Sequence, residues 1–217
     1  MVPNFEKAAR LALETIISNK ISTAPVDPLP IYKRAPGVLV LSFAEMSSNA
    51  GIDRQDLVSL FGENQDAATF HFPDGKLRYI VAYNQRLPFY MIQRGLAREL
   101  GHIVLGHDGT RPEDVRSAEA LCFAHHLLCP RPLVHAIQEA GVPLTLEVIG
   151  NVTGCYERCL SGMRKFPGVH TPPDLNRAVK AQFSEYLRNF LDFQPYLTWD
   201  DRSAMADLGS FMEGYEE

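Results

Sequence analysis

Residues 95–109 read GLARELGHIVLGHDG. With Ile92, Leu96, Leu100 and Ile103 falling along one side, the pattern predicts a helix from Phe89 to about His107, ended by Gly106 and Gly109. This helix carries Glu99 and His102 in the order E-x-x-H, preceded by Arg98. A bare E-x-x-H recurs by chance in many helices, so its meaning has to come from what surrounds it.

Upstream lies the clearest β signal of the chain. The stretches AATFHF (67–72) and LRYIVAYN (77–84) flank PDGK, whose Asp74-Gly75 pair supplies the positive φ angles of a tight hairpin turn. VLVLSF (38–43) predicts a further strand, and DRQDLVSLF (53–61) a short helix. Apolar positions at Ala8, Leu11, Ala12, Ile16 and Ile17 predict an amphipathic N-terminal helix, separated from the strand by a Pro-rich connector. Downstream, TRPEDVRSAEALCFAHHLLCP predicts a helix, with Thr110 as cap, Pro112 in the first turn and Glu113 as capping-box partner. A short helix to Ala140 follows, then two around Gly150-Asn151-Val152, then one from Asp174 to about Phe190. A last helical or frayed segment is expected after Thr198. Helix, short antiparallel sheet, helix, then more helices is an α+β order rather than alternating βαβ. The expected division is 1–140 for the first domain and 141–217 for a helical region.

Composition narrows the function classes. A formal net charge of −5 and no run of Lys or Arg give no electrostatic footprint for nucleic acid, so direct nucleic-acid binding is not expected. No apolar run approaches the roughly 20 residues of a membrane span, and the first residues lack a secretory apolar core, so the expected location is cytoplasmic and no membrane partner is expected. Cys122, Cys129, Cys155 and Cys159 lack disulfide-framework spacing and read as reduced, buried thiols.

The motif H-E-x-x-H places two imidazoles four apart on one helix face toward one zinc ion, with the glutamate acting on the zinc-bound water and a third ligand from elsewhere. Here Glu99 and His102 fill two of those places and Arg98 stands in the third. The segment YIVAYNQRLPFYMIQRGLARELGHIVLGH, followed by EALCFAHHLLCP, resembles the ImmA/IrrE family of zinc metallopeptidases in Leu100 to His107 and in Glu119, Ala120, Phe123, Ala124, Leu127, Leu128 and Pro130. The resemblance covers residues 75–132. It implies a zincin-like minimal peptidase fold, Glu99 as general base, His102 and Glu119 as zinc ligands, and zinc as the cofactor. It also implies a helix-turn-helix repressor as the protein substrate or partner, and a helix-turn-helix-like segment over about 144–166.

Arg98 departs from that pattern. A guanidinium offers no lone pair to a metal and puts a positive charge where a dication belongs. The expectation is an ion-pair plug, Arg98 pairing with Glu119 and also Glu99, in a chain whose zinc is absent or weakly bound. Three readings stay open. One is a peptidase-fold protein without ordinary zinc hydrolysis that binds its repressor. Another is an active zinc endopeptidase, either through a substitute ligand among His126, Cys122 and His107 or with Arg98 an introduced change. The last is an unrelated α+β interaction module, with Arg98 and Glu99 an exposed helix pair.

Overall fold

The computed structural model describes residues 1–50, 66–72, 76–155, 166 and 168–193. The predicted helix over 53–61, the Asp74-Gly75 turn, Cys159, the stretch 156–165 and the segment after Thr198 lie outside the described residues. The chain forms two compact units, one of Asp27–Ala120 with Met1, the other of Val2–Val26 together with Leu121 onward.

The first unit is built on a three-stranded sheet. Its strands are β1 (Val38–Ser42), β2 (Ala67–His71) and β3 (Tyr79–Tyr83), in the order β1-β3-β2. β2 and β3 pair antiparallel, Ala67 opposite Tyr83 and His71 opposite Tyr79, as the flanking pattern predicts. β1 joins the other side of β3 in parallel, Val38 opposite Tyr79, so the sheet is mixed rather than wholly antiparallel. A helix, α3 (Phe43–Ala50), follows β1; the parallel pair arises because β3, which reverses β2, takes the central place, so the strand beside β1 is the one that runs in its own direction. A short helix, α2 (Leu29–Arg34), precedes β1.

α4 (Phe89–Leu105) packs on β2 and β3 through Leu96, Ala97 and Leu100, all buried. It ends where predicted, at Gly106 in the left-handed conformation (φ 69°). Two features fix its seat. The Tyr32 hydroxyl, fully buried, donates to the Leu96 carbonyl at 2.6 Å. Gly95 brings the helix so close to Asp66 that a Cβ there would stand 2.9 Å from Asp66 Cβ and Cγ. α5 (Glu113–Leu128) then leads the chain out of the first unit. Its predicted cap is not used: the Thr110 hydroxyl turns back to donate to Asp108 at 2.7 Å, while Glu113 accepts from Ser117 and Arg116.

The second unit is helical. α1 (Phe5–Ser18) is capped by Asn4 and buries Ala8, Ala12, Leu13 and Ile16. It packs with α8 (Pro173–Gln182), which packs with α6 (Arg131–Glu139). α7 (Leu146–Thr153) starts at a Thr145 cap and stops at Gly154, so the turn expected at Gly150-Asn151-Val152 is instead the interior of one helix, with Val152 buried in its packed face. The single helix predicted for 174–190 is two, α8 and α9 (Ser184–Phe193), divided at Phe183, whose ring is fully buried. Arg131, nearly buried, donates to the carbonyls of Val169 (2.7 Å) and Phe166, fastening the stretch before α8. Among the described residues no helix is long and apolar enough to cross a membrane.

Candidate functional site

Glu99 and Arg98 meet strand β2 from the face of α4. Glu99 is buried; its Oε2 accepts from the Thr69 hydroxyl at 2.7 Å, and its Oε1 accepts from Arg98 Nη2 at 2.9 Å and Nε at 3.2 Å. Arg98 Nη2 also lies 3.2 Å from Asp66 Oδ1 and 3.3 Å from the Ala67 carbonyl. Asp66 accepts in addition from Arg94 Nη2 at 3.0 Å. Consecutive helix residues do not face each other; the pair forms because the long arm of Arg98 curls back over Glu99 toward the start of β2. Burial pushes the Glu99 carboxyl above its ordinary value, against the opposing pull of Arg98 and the Thr69 bond. Burial also disfavours the Arg98 charge, but Glu99 and Asp66 outweigh it and hold the guanidinium firmly protonated.

The second cluster runs along the end of α4 and the start of α5. His102 Nδ1 is 2.9 Å from His107 Nδ1, and His107 Nε2 is 3.0 Å from Glu119 Oε2. The same Glu119 oxygen accepts from Arg111 Nη1 at 2.7 Å. Glu119 is 1% exposed, so these donors replace the water it has lost. Burial, then His107 and Arg98, lower His102 to about 4. Burial lowers His107 as well, with Glu119 opposing. With both rings neutral, the bonds order the protons: His107 Nε2–H donates to Glu119, His102 Nδ1–H donates to His107 Nδ1, and His102 Nε2 is left as an acceptor. A pocket of about 510 Å³ opens beside these groups, lined among others by Thr69, Arg98, Glu99, His102, His107 and Arg116.

This donor set does not fit a zinc ion. Arg98 has no lone pair to give. His107 stands between His102 and Glu119, and Glu119 is already held by Arg111. Among the described residues no group of three or more His, Cys, Asp or Glu side chains could hold a metal ion. The expected pairing of Arg98 with Glu119 is also not what forms. Arg98 curls back onto Glu99 and Asp66 at the start of β2, while His107 and Arg111 occupy the Glu119 carboxylate.

The remaining candidates lie elsewhere. Cys122 and His126 belong to the second unit, where Cys122 Sγ faces the Phe5 carbonyl at 3.6 Å and His126 Nδ1 the Cys122 carbonyl at 2.9 Å. Neither lines the pocket of Glu99 and His102. The structure thus brings Arg98 and Glu99 together, and separately His102, His107 and Glu119. Asp66, Thr69 and Arg111, which complete these clusters, belong to no motif and reach them only through the fold.

A short mixed sheet with an E-x-x-H helix packed on it, followed by a helix bearing Glu119, is an α+β arrangement consistent with a minimal zincin-like fold. Residues 56–147 match the family model described as the IrrE N-terminal-like domain, a segment that holds β2, β3, α4, α5 and α6. Over this segment the chain is similar to the ImmA/IrrE family, a family of zinc metallopeptidases. No curated protein and no solved structure matches the chain.

Proposed function

We propose that this chain is a metallopeptidase-like protein of the ImmA/IrrE type that does not carry out ordinary zinc hydrolysis and acts by binding a helix-turn-helix repressor. The observation behind this reading is the seat of Arg98. Where an H-E-x-x-H helix presents its first imidazole, a guanidinium lies on Glu99 and Asp66. It can supply neither a ligand nor an open position for water. Glu99, bound by Arg98 and Thr69, serves as a structural carboxylate that holds α4 to β2.

The pocket is compatible with a binding role. It is of the size that accepts part of a peptide, and Ala68, Thr69 and His71 of β2, an edge strand among the described residues, line it. The domain type supports a protein as partner; a repressor as that partner is what the resemblance implies.

The test uses the full chain with purified helix-turn-helix repressors from the same genome, with and without added zinc. The expected result is a complex with one of them by calorimetry, the repressor staying intact by mass spectrometry in both conditions. Repressor cleavage by a chain holding about one zinc refutes the loss of hydrolysis; no complex with any repressor refutes the binding role.

A further inference from the structure

Resting on the peptidase-like reading, we infer that Arg98 and Arg111 divide between them the double positive charge of the metal that the family's site holds, so that the site is permanently metal-free and no single substitution re-creates a metal centre. The family's motif places two carboxylates by the metal, one at the position of Glu99 and one at that of Glu119. In this chain each has its own guanidinium: Arg98 Nη2 is 2.9 Å from Glu99, and Arg111 Nη1 is 2.7 Å from Glu119. Both carboxylates are buried, at 6% and 1% exposure, and neither could remain ionised there without a compensating cation. Two fixed charges of one unit replace one ion of two.

The geometry adds a second lock. His107 is inserted between His102 and Glu119, bonded to both, so the two ligand positions that survive in the sequence are bridged by a side chain rather than open to a shared ion. Arg111 holds the far side of the same Glu119 oxygen. Restoring a histidine at 98 therefore supplies a ligand but leaves Glu119 occupied. Arg111 lies outside every motif of the helix pair, in the loop between α4 and α5, which is why inspection of the motif alone points to Arg98 as the sole lesion.

The test titrates zinc into the full chain, Arg98→His, Arg111→Gln and the double variant by calorimetry, with circular dichroism to report folding. The chain and both single variants are expected to hold no stoichiometric zinc. The double variant is expected to bind one zinc at least roughly 10- to 100-fold more tightly than Arg98→His, the factor associated with freeing a charge-assisted bond at Glu119. Thermal unfolding supplies the second readout without metal: Arg111→Gln lowers the midpoint by removing the guanidinium beside the buried Glu119 carboxylate, and adding Glu119→Gln to it recovers most of the loss. A double variant that folds only when zinc is present also supports the inference. It is overturned if Arg98→His alone binds zinc as tightly as the double variant, if the double variant binds none or stays unfolded with zinc, or if Glu119→Gln gives no recovery. None of these outcomes bears on whether the chain binds a repressor, so the two proposals fail separately.

Discussion

Replacing Gly95 by alanine tests the seat of α4 through the sign of the effect. In the interior of an ordinary helix this exchange stabilises, by about 0.5–1 kcal/mol, because glycine loses more backbone freedom on folding. Here the new Cβ would lie 2.9 Å from Asp66 Cβ and Cγ and 3.1 Å from Asp66 C, well inside ordinary contact distance. Asp66 cannot swing clear: it is 4% exposed and its carboxylate is held by Arg94 at 3.0 Å and Arg98 at 3.2 Å. The helix must then move by some tenths of an ångström, and overpacking of this kind costs about 1–3 kcal/mol. Set against the propensity gain, the expected net loss is about 1–2 kcal/mol, a fall of roughly 2–8 °C in the midpoint for a chain of this size. Thermal unfolding followed by circular dichroism measures it. A midpoint that stays the same or rises means that α4 does not press on Asp66, and the account of how Arg98 is held falls with it.

Other outcomes follow from buried groups. His126 titrates near 4 in the folded chain through burial and Arg131, and near 6.5 unfolded. The unfolded state therefore binds more protons between those values, and stability falls as the pH drops through them; His102, also near 4, acts in the same direction. Glu99, raised above its ordinary value, opposes this in the lower part of the window. Going from about pH 7 to about pH 5, His126 alone is worth on the order of 2 kcal/mol, so the urea midpoint is expected to drop, and an equal or higher midpoint at the lower pH contradicts the assignment. Arg131→Met removes the donors to the Val169 and Phe166 carbonyls; a loss of about 2 kcal/mol, roughly 4–8 °C, is expected by calorimetric scan. A change of less than about 1 °C means that Arg131 does not fasten that stretch.

Much of the fold is legible because it rests on local pattern. The β2 and β3 runs, the 3.6-residue spacing of α4 and its Gly106 stop are written in short windows, and the helices fall near where periodicity places them. What stays hidden depends on partners distant in sequence. β1 pairs in parallel with β3 because β3 rather than β2 takes the place beside it, an order that no alternation of residues reveals. Phe183 divides α8 from α9 in a stretch whose helical spacing runs on without interruption. At the site, Glu99, His102 and Glu119 announce themselves by motif, while Asp66, Thr69 and Arg111 act through the ends of long or polar side chains. The reach of a guanidinium is not a sequence spacing, and so the pairing of Arg98 with Asp66 and of Arg111 with Glu119 is visible only in three dimensions.

The joining of residues 2–26 with the helices after Leu121 also sets an order of events in time. Gln182 Nε2 donates to the carbonyls of Ile16 and Ile21, across sequence separations of 166 and 161. At translation rates of about 5–20 residues per second, roughly 10–30 s pass between synthesis of the two ends of those bonds. Throughout that interval α1 carries Ala8, Ala12, Leu13 and Ile16 with no completed core to receive them. The segment Asp27–Ala120, which holds the three strands and α4, is synthesised in full well before α8. The second unit closes only once α8 has emerged, so the apolar face of α1 waits for a partner made near the other end of the chain.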